Sequence, residues 1–232
     1  MNYELTKKYF KVVDETINYK ASVIMIIIGA IMMFMIGNSP IVGILGIGLI
    51  ALGIFLIVNR KNKIKAEKDS IPSDGQYDAE VAKKLAGMKE QALNKLGLDE
   101  DEVKEIEPIS FDGYVYKGAS EYKAGQDKLY RTNKYEAVML FFSQNEVHCY
   151  TYRFDTTEDK KTEETDVYFY KDIVSVSTAS DEAKLGDQSF NYEYFKLTTA
   201  GGTALTVSLR DVNNAQRSIN AMRSLLREKK QG

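Results

Sequence analysis

Apolar residues are segregated along this chain rather than dispersed through it. Between Lys20 and Arg60 there is no Asp, Glu, Lys, Arg or His, and only Gly37-Asn38-Ser39-Pro40 interrupts the apolar run. Two segments remain, at about residues 21–36 and 41–58. The first holds eight Ile, Val and Phe residues, which at roughly −0.3 to −0.6 kcal/mol each favour insertion into a bilayer by about 2–5 kcal/mol. At about 1.5 Å per residue the segments reach about 24–27 Å, slightly less than a hydrocarbon core of about 30 Å. The pattern predicts a hairpin of two transmembrane helices, because soluble core helices seldom lack charge on every face. Asn-Ser-Pro suits the turn, since the residue before proline is pushed out of helical backbone. A signal peptide fits poorly: a second apolar segment follows at once, and no small-x-small cleavage site precedes a polar start.

After the hairpin the period changes twice. Residues 69–76, with Ser70-Ile-Pro-Ser-Asp-Gly75, read as a linker. From Tyr77, the positions Val81, Leu85, Met88, Ala92 and Leu96 recur every three or four residues and predict a helix that Gly97 stops. A short turn follows with a capping box from Asp99 to Glu102, which makes 77–105 a helical segment. This helix could pack on the following domain, contact a partner or lie on a membrane; its mixed charges make the last the weakest. From Glu107 the signals are those of strands, near 107–117, 128–133, 136–143, 146–154, 165–178, 189–199 and 203–209. The clearest hairpin turns at Gln144-Asn145 with Val138, Leu140 and Phe142 on one face, and another turns at Ala200-Gly201-Gly202. The chain closes with a helix capped by Asp211 and striped by Val212, Ala215, Ile219, Met222, Leu225 and Leu226. Residues 106–232 thus form an α+β unit large enough for its own core.

Charge sharpens this division. Residues 1–68 carry nine basic and four acidic residues, a net of +5, whereas 69–232 carry 22 basic and 29 acidic, a net of −7. Lys20 flanks the first apolar segment and Arg60, Lys61, Lys63 and Lys65 follow the second, while the turn between them has no charge. The positive-inside rule then places both termini in the cytoplasm, with the chain a multi-pass protein of the cell membrane. The basic flanks suit anionic headgroups, at about 1 kcal/mol per residue near the surface. The acidic remainder argues against nucleic acid as a partner. One cysteine, Cys149, fits a reducing compartment. Within the hairpin Ser22, Gly29 and Gly37 in one segment, and Gly43, Gly46 and Gly53 in the other, fall where helix backbones can approach closely. Packing of the two helices on each other explains these positions, as would a homo-oligomeric contact.

The strand order followed by one terminal helix resembles the pleckstrin-homology superfold, in particular bacterial membrane-anchored proteins with a PH-like cytoplasmic domain. The residues that carry the resemblance are Asp166-Val-Tyr-Phe-Tyr-Lys-Asp-Ile-Val-Ser-Val-Ser177, Tyr194-Phe-Lys-Leu-Thr-Thr-Ala-Gly-Gly-Thr203 and the terminal helix. It implies a partly open antiparallel strand barrel or sandwich capped by that helix, which binds proteins, peptides or lipid headgroups and performs no reaction. It also points to a basic cluster between early strands as a lipid or ligand site, here Lys117, Lys123, Lys128, Arg131 and Lys134. Glu121, Asp127 and Glu136 are interleaved with these, so a solvated polar loop is the competing reading.

Catalytic patterns are not found in the sequence. His148 and Cys149 are neighbours on a predicted strand and point to opposite faces, so they form no Cys-His pair there. No Walker loop, dinucleotide fingerprint, nucleophile elbow or zinc spacing appears, and the acidic runs lack the ligand spacing of a calcium loop. The expectation is a non-enzymatic, membrane-tethered module without metal or cofactor that docks a protein or peptide, at a groove beside the terminal helix or along an exposed strand edge. An oligomeric scaffold and an anionic-lipid sensor are the alternatives.

Overall fold

A computed structural model describes residues 1–16, 19–35 and 39–231. The chain divides into two units, one of residues 11–73 and one made of Met1–Phe10 together with Asp74–Gly232. The second unit is therefore discontinuous: helix α1 (Tyr3–Tyr9) belongs to it although the whole apolar region intervenes.

In the unit of residues 11–73, α2 (Lys20–Phe34) and α3 (Pro40–Asp69) run antiparallel along each other. Gly29 faces Gly46, and a Cβ on either would come within 2.5 Å of the other's carbonyl oxygen. Gly53 sits as tightly against Ser22 and Ile26, and Gly43 is buried; Gly37 lies outside the described residues. Pro40 starts α3, where its missing N–H costs nothing. Among the described residues α3 is the one helix long and apolar enough to cross a membrane, whereas α2, with 15 residues, is apolar but shorter. Two comparable spans are thus not found. Nor does α3 end at Val58: it continues through the basic flank to Asp69, because Lys, Glu and Ala are good helix formers and no Gly or Pro intervenes. Arg60 meets Asp14 at 3.8 Å and Lys68 meets Glu15 at 2.6 Å, which ties the segment before α2 to the polar part of α3. Lys61, Lys63 and Lys65 are exposed, and Lys20 is the first residue of α2.

The discontinuous unit is built on two antiparallel sheets. The first contains β1 (Ile109–Tyr114), β4 (Lys134–Phe142), β5 (Glu146–Asp155) and β6 (Lys161–Phe169) in the order β1-β4-β5-β6; β2 (Tyr122–Ala124) and β3 (Tyr130–Thr132) form a separate ribbon. The second contains β7 (Ile173–Leu185), β8 (Gln188–Thr199) and β9 (Gly202–Ser208), followed by α6 (Val212–Gln231). The strand expected over 165–178 is two strands. It breaks at Tyr170-Lys171-Asp172, where Asp172 N–H bonds back to the Phe169 carbonyl at 2.9 Å, and the chain changes sheet. Three-residue β2 is too short to leave a periodic signal.

One face of the first sheet packs as expected. Val138, Leu140 and Phe142 of β4 join Val147 and Cys149 of β5, and with Phe195, Leu197, Ile219 and Met222 they make a core between the two sheets and α6. Asp211 caps α6, its carboxylate accepting from the Asn214 N–H at 3.0 Å. The opposite face is buried too. Tyr135, Phe141, Tyr150 and Phe154 lie under Tyr9, Tyr77, Val81 and Leu93, so α1, α4 (Asp74–Leu85) and α5 (Met88–Leu96) form a second layer. The helix expected over 77–96 is therefore part of the domain and is two helices. Gly87 between them has φ of +79°, a left-handed conformation that glycine adopts without steric cost. The expected linker contracts to Ser70–Ser73, since α3 ends at Asp69 and α4 starts at Asp74. Tyr9 fixes α1 to this layer: its ring stacks on Tyr77 at 4.3 Å and its hydroxyl bonds Asp74 at 2.7 Å. Such an aromatic pair adds about 0.5–1.5 kcal/mol beyond the area it buries.

Candidate docking surface

The five basic residues proposed as a ligand site do not act together. Arg131 is 1% exposed. Its guanidinium grips Asp78 of α4 through Nε and Nη2 at 2.9 and 2.7 Å, and Asp127 of the β2–β3 turn through Nη1 and Nη2 at 2.9 and 2.8 Å. Asp78 also accepts from the Tyr114 hydroxyl at 2.8 Å and from Arg210 at 2.9 Å. Burial opposes the charge on Arg131, but the two carboxylates more than offset it and hold its pKa above the usual value. Both forks of the guanidinium are thus spent on fastening the helical layer to the sheet, and none of it is open to a ligand. Arg131 is corrected from a binding residue to a structural clamp. Lys123 is also engaged: it donates to the Tyr9 carbonyl at 3.2 Å and lies 4.2 Å over the Tyr9 ring, while burial lowers its pKa. Lys128 is exposed at the tip of the β2–β3 turn with φ of +66°.

Lys117 and Lys134 are brought together, on an open groove of about 930 Å³ shared with Lys160 and Lys161 of the β5–β6 turn region. The same groove contains Asp155, Glu158 and Asp159. Lys160 pairs with Glu158 at 2.7 Å and Lys161 with Glu163 at 3.0 Å, so the groove's charge is largely spent within the protein. Cys149 faces the inter-sheet core, where burial pushes its thiol up to about 12. His148, on the other face of β5, lies 3.3 Å from Glu146. Among the described residues no group of His, Cys, Asp and Glu side chains could hold a metal ion.

The sheet edges are more informative. β1 and β9 meet: Arg210 N–H bonds the Asp112 carbonyl at 2.9 Å, and Gly113 lies so close to the Ser208 backbone that a Cβ there would overlap it. At β7, Arg223 and Lys230 of α6 donate to the carbonyls of Val176 and Ile173, which closes the expected groove beside the terminal helix at that end. β6 pairs with β5 on one side and ends the sheet on the other. Its two faces differ. Cys149 sits opposite Asp166 and His148 opposite Val167, which places Glu164 and Asp166 on one face and Val167 and Phe169 on the other. Val167 and Phe169 are each 47% exposed, and Val174, just past the turn into β7, is 62% exposed. With Tyr122 these are the large apolar residues most exposed in the discontinuous unit. The run Glu164-Thr-Asp-Val-Tyr-Phe169 carried this alternation in the sequence, but its edge position appears only in the sheet order. Against this geometry, no protein-family model, no curated protein and no solved structure matches the chain.

Proposed function

We propose that this chain is a non-enzymatic docking module held at the cytoplasmic face of a membrane by both ends of a two-helix hairpin. The observation that carries the reading is the discontinuous unit. Tyr9 is fully buried and α1 packs on α4, so the residues before and after the apolar helices fold into one body. One crossing by α3 alone would leave α1 and residues 74–232 on opposite sides of the membrane. An even number of crossings keeps them together, and α2 provides the second. At 15 residues, or about 22 Å, it requires local thinning or snorkelling of Lys20. The basic residues at both outer ends put the unit in the cytoplasm.

The order of a four-stranded sheet, a three-stranded sheet and a closing helix supports the PH-like reading, to which this chain adds the β2–β3 ribbon and the layer of α1, α4 and α5. Binding, rather than chemistry, is supported by the exposed apolar residues at the β6–β7 corner.

Topology is tested with single cysteines at Lys11, Ser39 and Lys68 in a Cys149→Ala background, labelled in intact cells by a membrane-impermeant maleimide. The hairpin predicts labelling of Ser39→Cys alone, with the other two labelled after permeabilisation. Protection of all three in intact cells would replace the hairpin by a re-entrant loop. Docking is tested by crosslinked capture with the full chain and with residues 1–10 joined by a flexible linker to 74–232. A distinct protein recovered by both supports docking, whereas recovery of the chain's own copies only when the apolar helices are present supports an oligomeric scaffold.

A further inference from the structure

We infer that the outer edge of β6 receives an extended segment of another protein in which basic and apolar residues alternate, and that this segment adds a fifth strand to the first sheet. The inference rests on the docking reading and names the partner chemistry for it.

Of the sheet edges, β1 and β9 cover each other, and α6 donates two side chains to the carbonyls of Ile173 and Val176 at the start of β7, whose residues 177–185 present no exposed large apolar side chain. β6 is nine residues long and is paired by β5 alone. An edge of that length presents backbone donors and acceptors on which a further strand can hydrogen-bond, with side-chain matching setting specificity. The side chains favour one kind of strand. On one face Glu164 and Asp166 are acidic; on the other Val167 and Phe169 are half-exposed and continue to Val174 around the corner. A strand alternating Lys or Arg with Val, Ile or Phe, laid beside β6, sets its cations next to Asp166 and Glu164 and its apolar residues next to Val167 and Phe169. Opposite charges and apolar pairs across strands are favourable and like charges are not.

The same rule weighs against a second copy of this chain. Two β6 strands paired antiparallel about Thr165 would set Glu164 of each against Asp166 of the other, two like-charge pairs on one face. An acidic segment and a membrane of anionic lipid are disfavoured by the same carboxylates. Arg153, which bonds Glu164 at 2.7 Å, neutralises part of this face and leaves Asp166 as the better handle for a test.

The experiment uses the full chain in detergent micelles and a fluorescent nine-residue peptide in which lysine and valine alternate. The controls are a glutamate-valine alternating peptide and a peptide of the first one's composition with its lysines and valines in separate blocks. Saturable binding of the alternating lysine peptide, at least tenfold tighter than either control, is expected. Asp166→Lys should reverse the preference between the lysine and glutamate peptides, and Val167→Glu should weaken the lysine peptide at least tenfold, with circular dichroism unchanged because Val167 is exposed and Asp166 is half-buried on the edge strand. Equal binding of blocked and alternating peptides, or indifference to both substitutions, overturns the proposal. So does a fall in the oligomeric mass of the free chain on Val167→Glu, which would identify a second copy as the occupant. If crosslinked capture still recovers a distinct protein from both variants, docking stands and the β6 edge is the wrong surface.

Discussion

The two units of this chain are inside-out relative to each other. In the α2–α3 pair the small residues Ser22, Gly29, Gly43, Gly46 and Gly53 line the contact and are buried, while Ile24, Ile31, Ile44 and Phe55 are between 55% and 65% exposed. In the discontinuous unit the largest side chains are inside, with Tyr9, Tyr77, Tyr135 and Phe141 fully buried, and charges dominate the exterior. The difference is the one that the proposed surroundings of each unit require. In water, burying apolar area drives packing, at about 25 cal/mol per Å². Among lipid tails that gain vanishes, and helices associate through close backbone contact, for which glycine is the best residue.

Five substitutions or conditions probe this contrast. The largest effect is expected for Arg131→Met. Removing the guanidinium leaves Asp78, at a side-chain exposure of 17%, with only Arg210 and the Tyr114 hydroxyl as partners, so the loss should fall near the low end of the roughly 3–5 kcal/mol for breaking a buried pair. Urea unfolding of residues 1–10 joined to 74–232 would measure it; a loss near that of a surface pair would show that the clamp does not hold the layers. Tyr9→Ala should follow, at about 3 kcal/mol, the low end for removing a buried aromatic ring. It should leave the α2–α3 pair intact, and residues 74–232 without α1 should lose cooperativity in the same assay. Gly46→Leu acts on the other unit: its Cβ alone would meet the Gly29 carbonyl at 2.5 Å, and overpacking of this kind costs about 1–3 kcal/mol. Unfolding in mixed micelles by added dodecyl sulfate should shift to lower detergent fractions, with the discontinuous unit unaffected.

Acid should separate the units without any mutation. The Asp127 carboxylate is lowered to about 2 by its hydrogen bonds to Arg131. Asp78 is also lowered, its burial opposing charge but Arg131 and Tyr114 outweighing it. Folded pKa values below the unfolded value of about 3.9 contribute stability that is present above pH 4 and lost as the pH falls through the folded values. The discontinuous unit should therefore weaken between about pH 4 and pH 2, and Arg131→Met should flatten that dependence. Residues 21–59 hold no titratable side chain that could respond, so helicity of the pair should persist. The smallest effect is expected for Lys68→Ala, which removes the pair with Glu15 at side-chain exposures of 47% and 65%. Pairs that exposed are worth about 0–1 kcal/mol, and the change should disappear at high salt.

Much of the architecture was legible because it is written in local periodicity. The strands at 134–142 and 146–155, the turn at Gln144-Asn145, the capped terminal helix and the close-packed glycines all follow from the spacing of residues near one another in the chain. The candidate site was less legible. Arg131, Lys123 and Lys134 look alike as exposed basic residues in a turn-rich stretch, and nothing nearby in sequence says that Arg131 faces Asp78, 53 residues away. The bonds from Arg223 and Lys230 to the start of β7, and the open edge left at β6, likewise depend on the tertiary arrangement.

By itself the sequence determined that residues 21–58 are an uncharged apolar block and that strands with a closing helix occupy the C-terminal half, because solvent preference and backbone period act residue by residue. Only the tertiary structure decided that Met1–Phe10 completes the unit on the far side of that block. The seven residues of α1 are too few to show a period or to be stable alone. What holds them is Tyr9 between Tyr77 and Asp74, a contact between parts of the chain 65 or more residues apart.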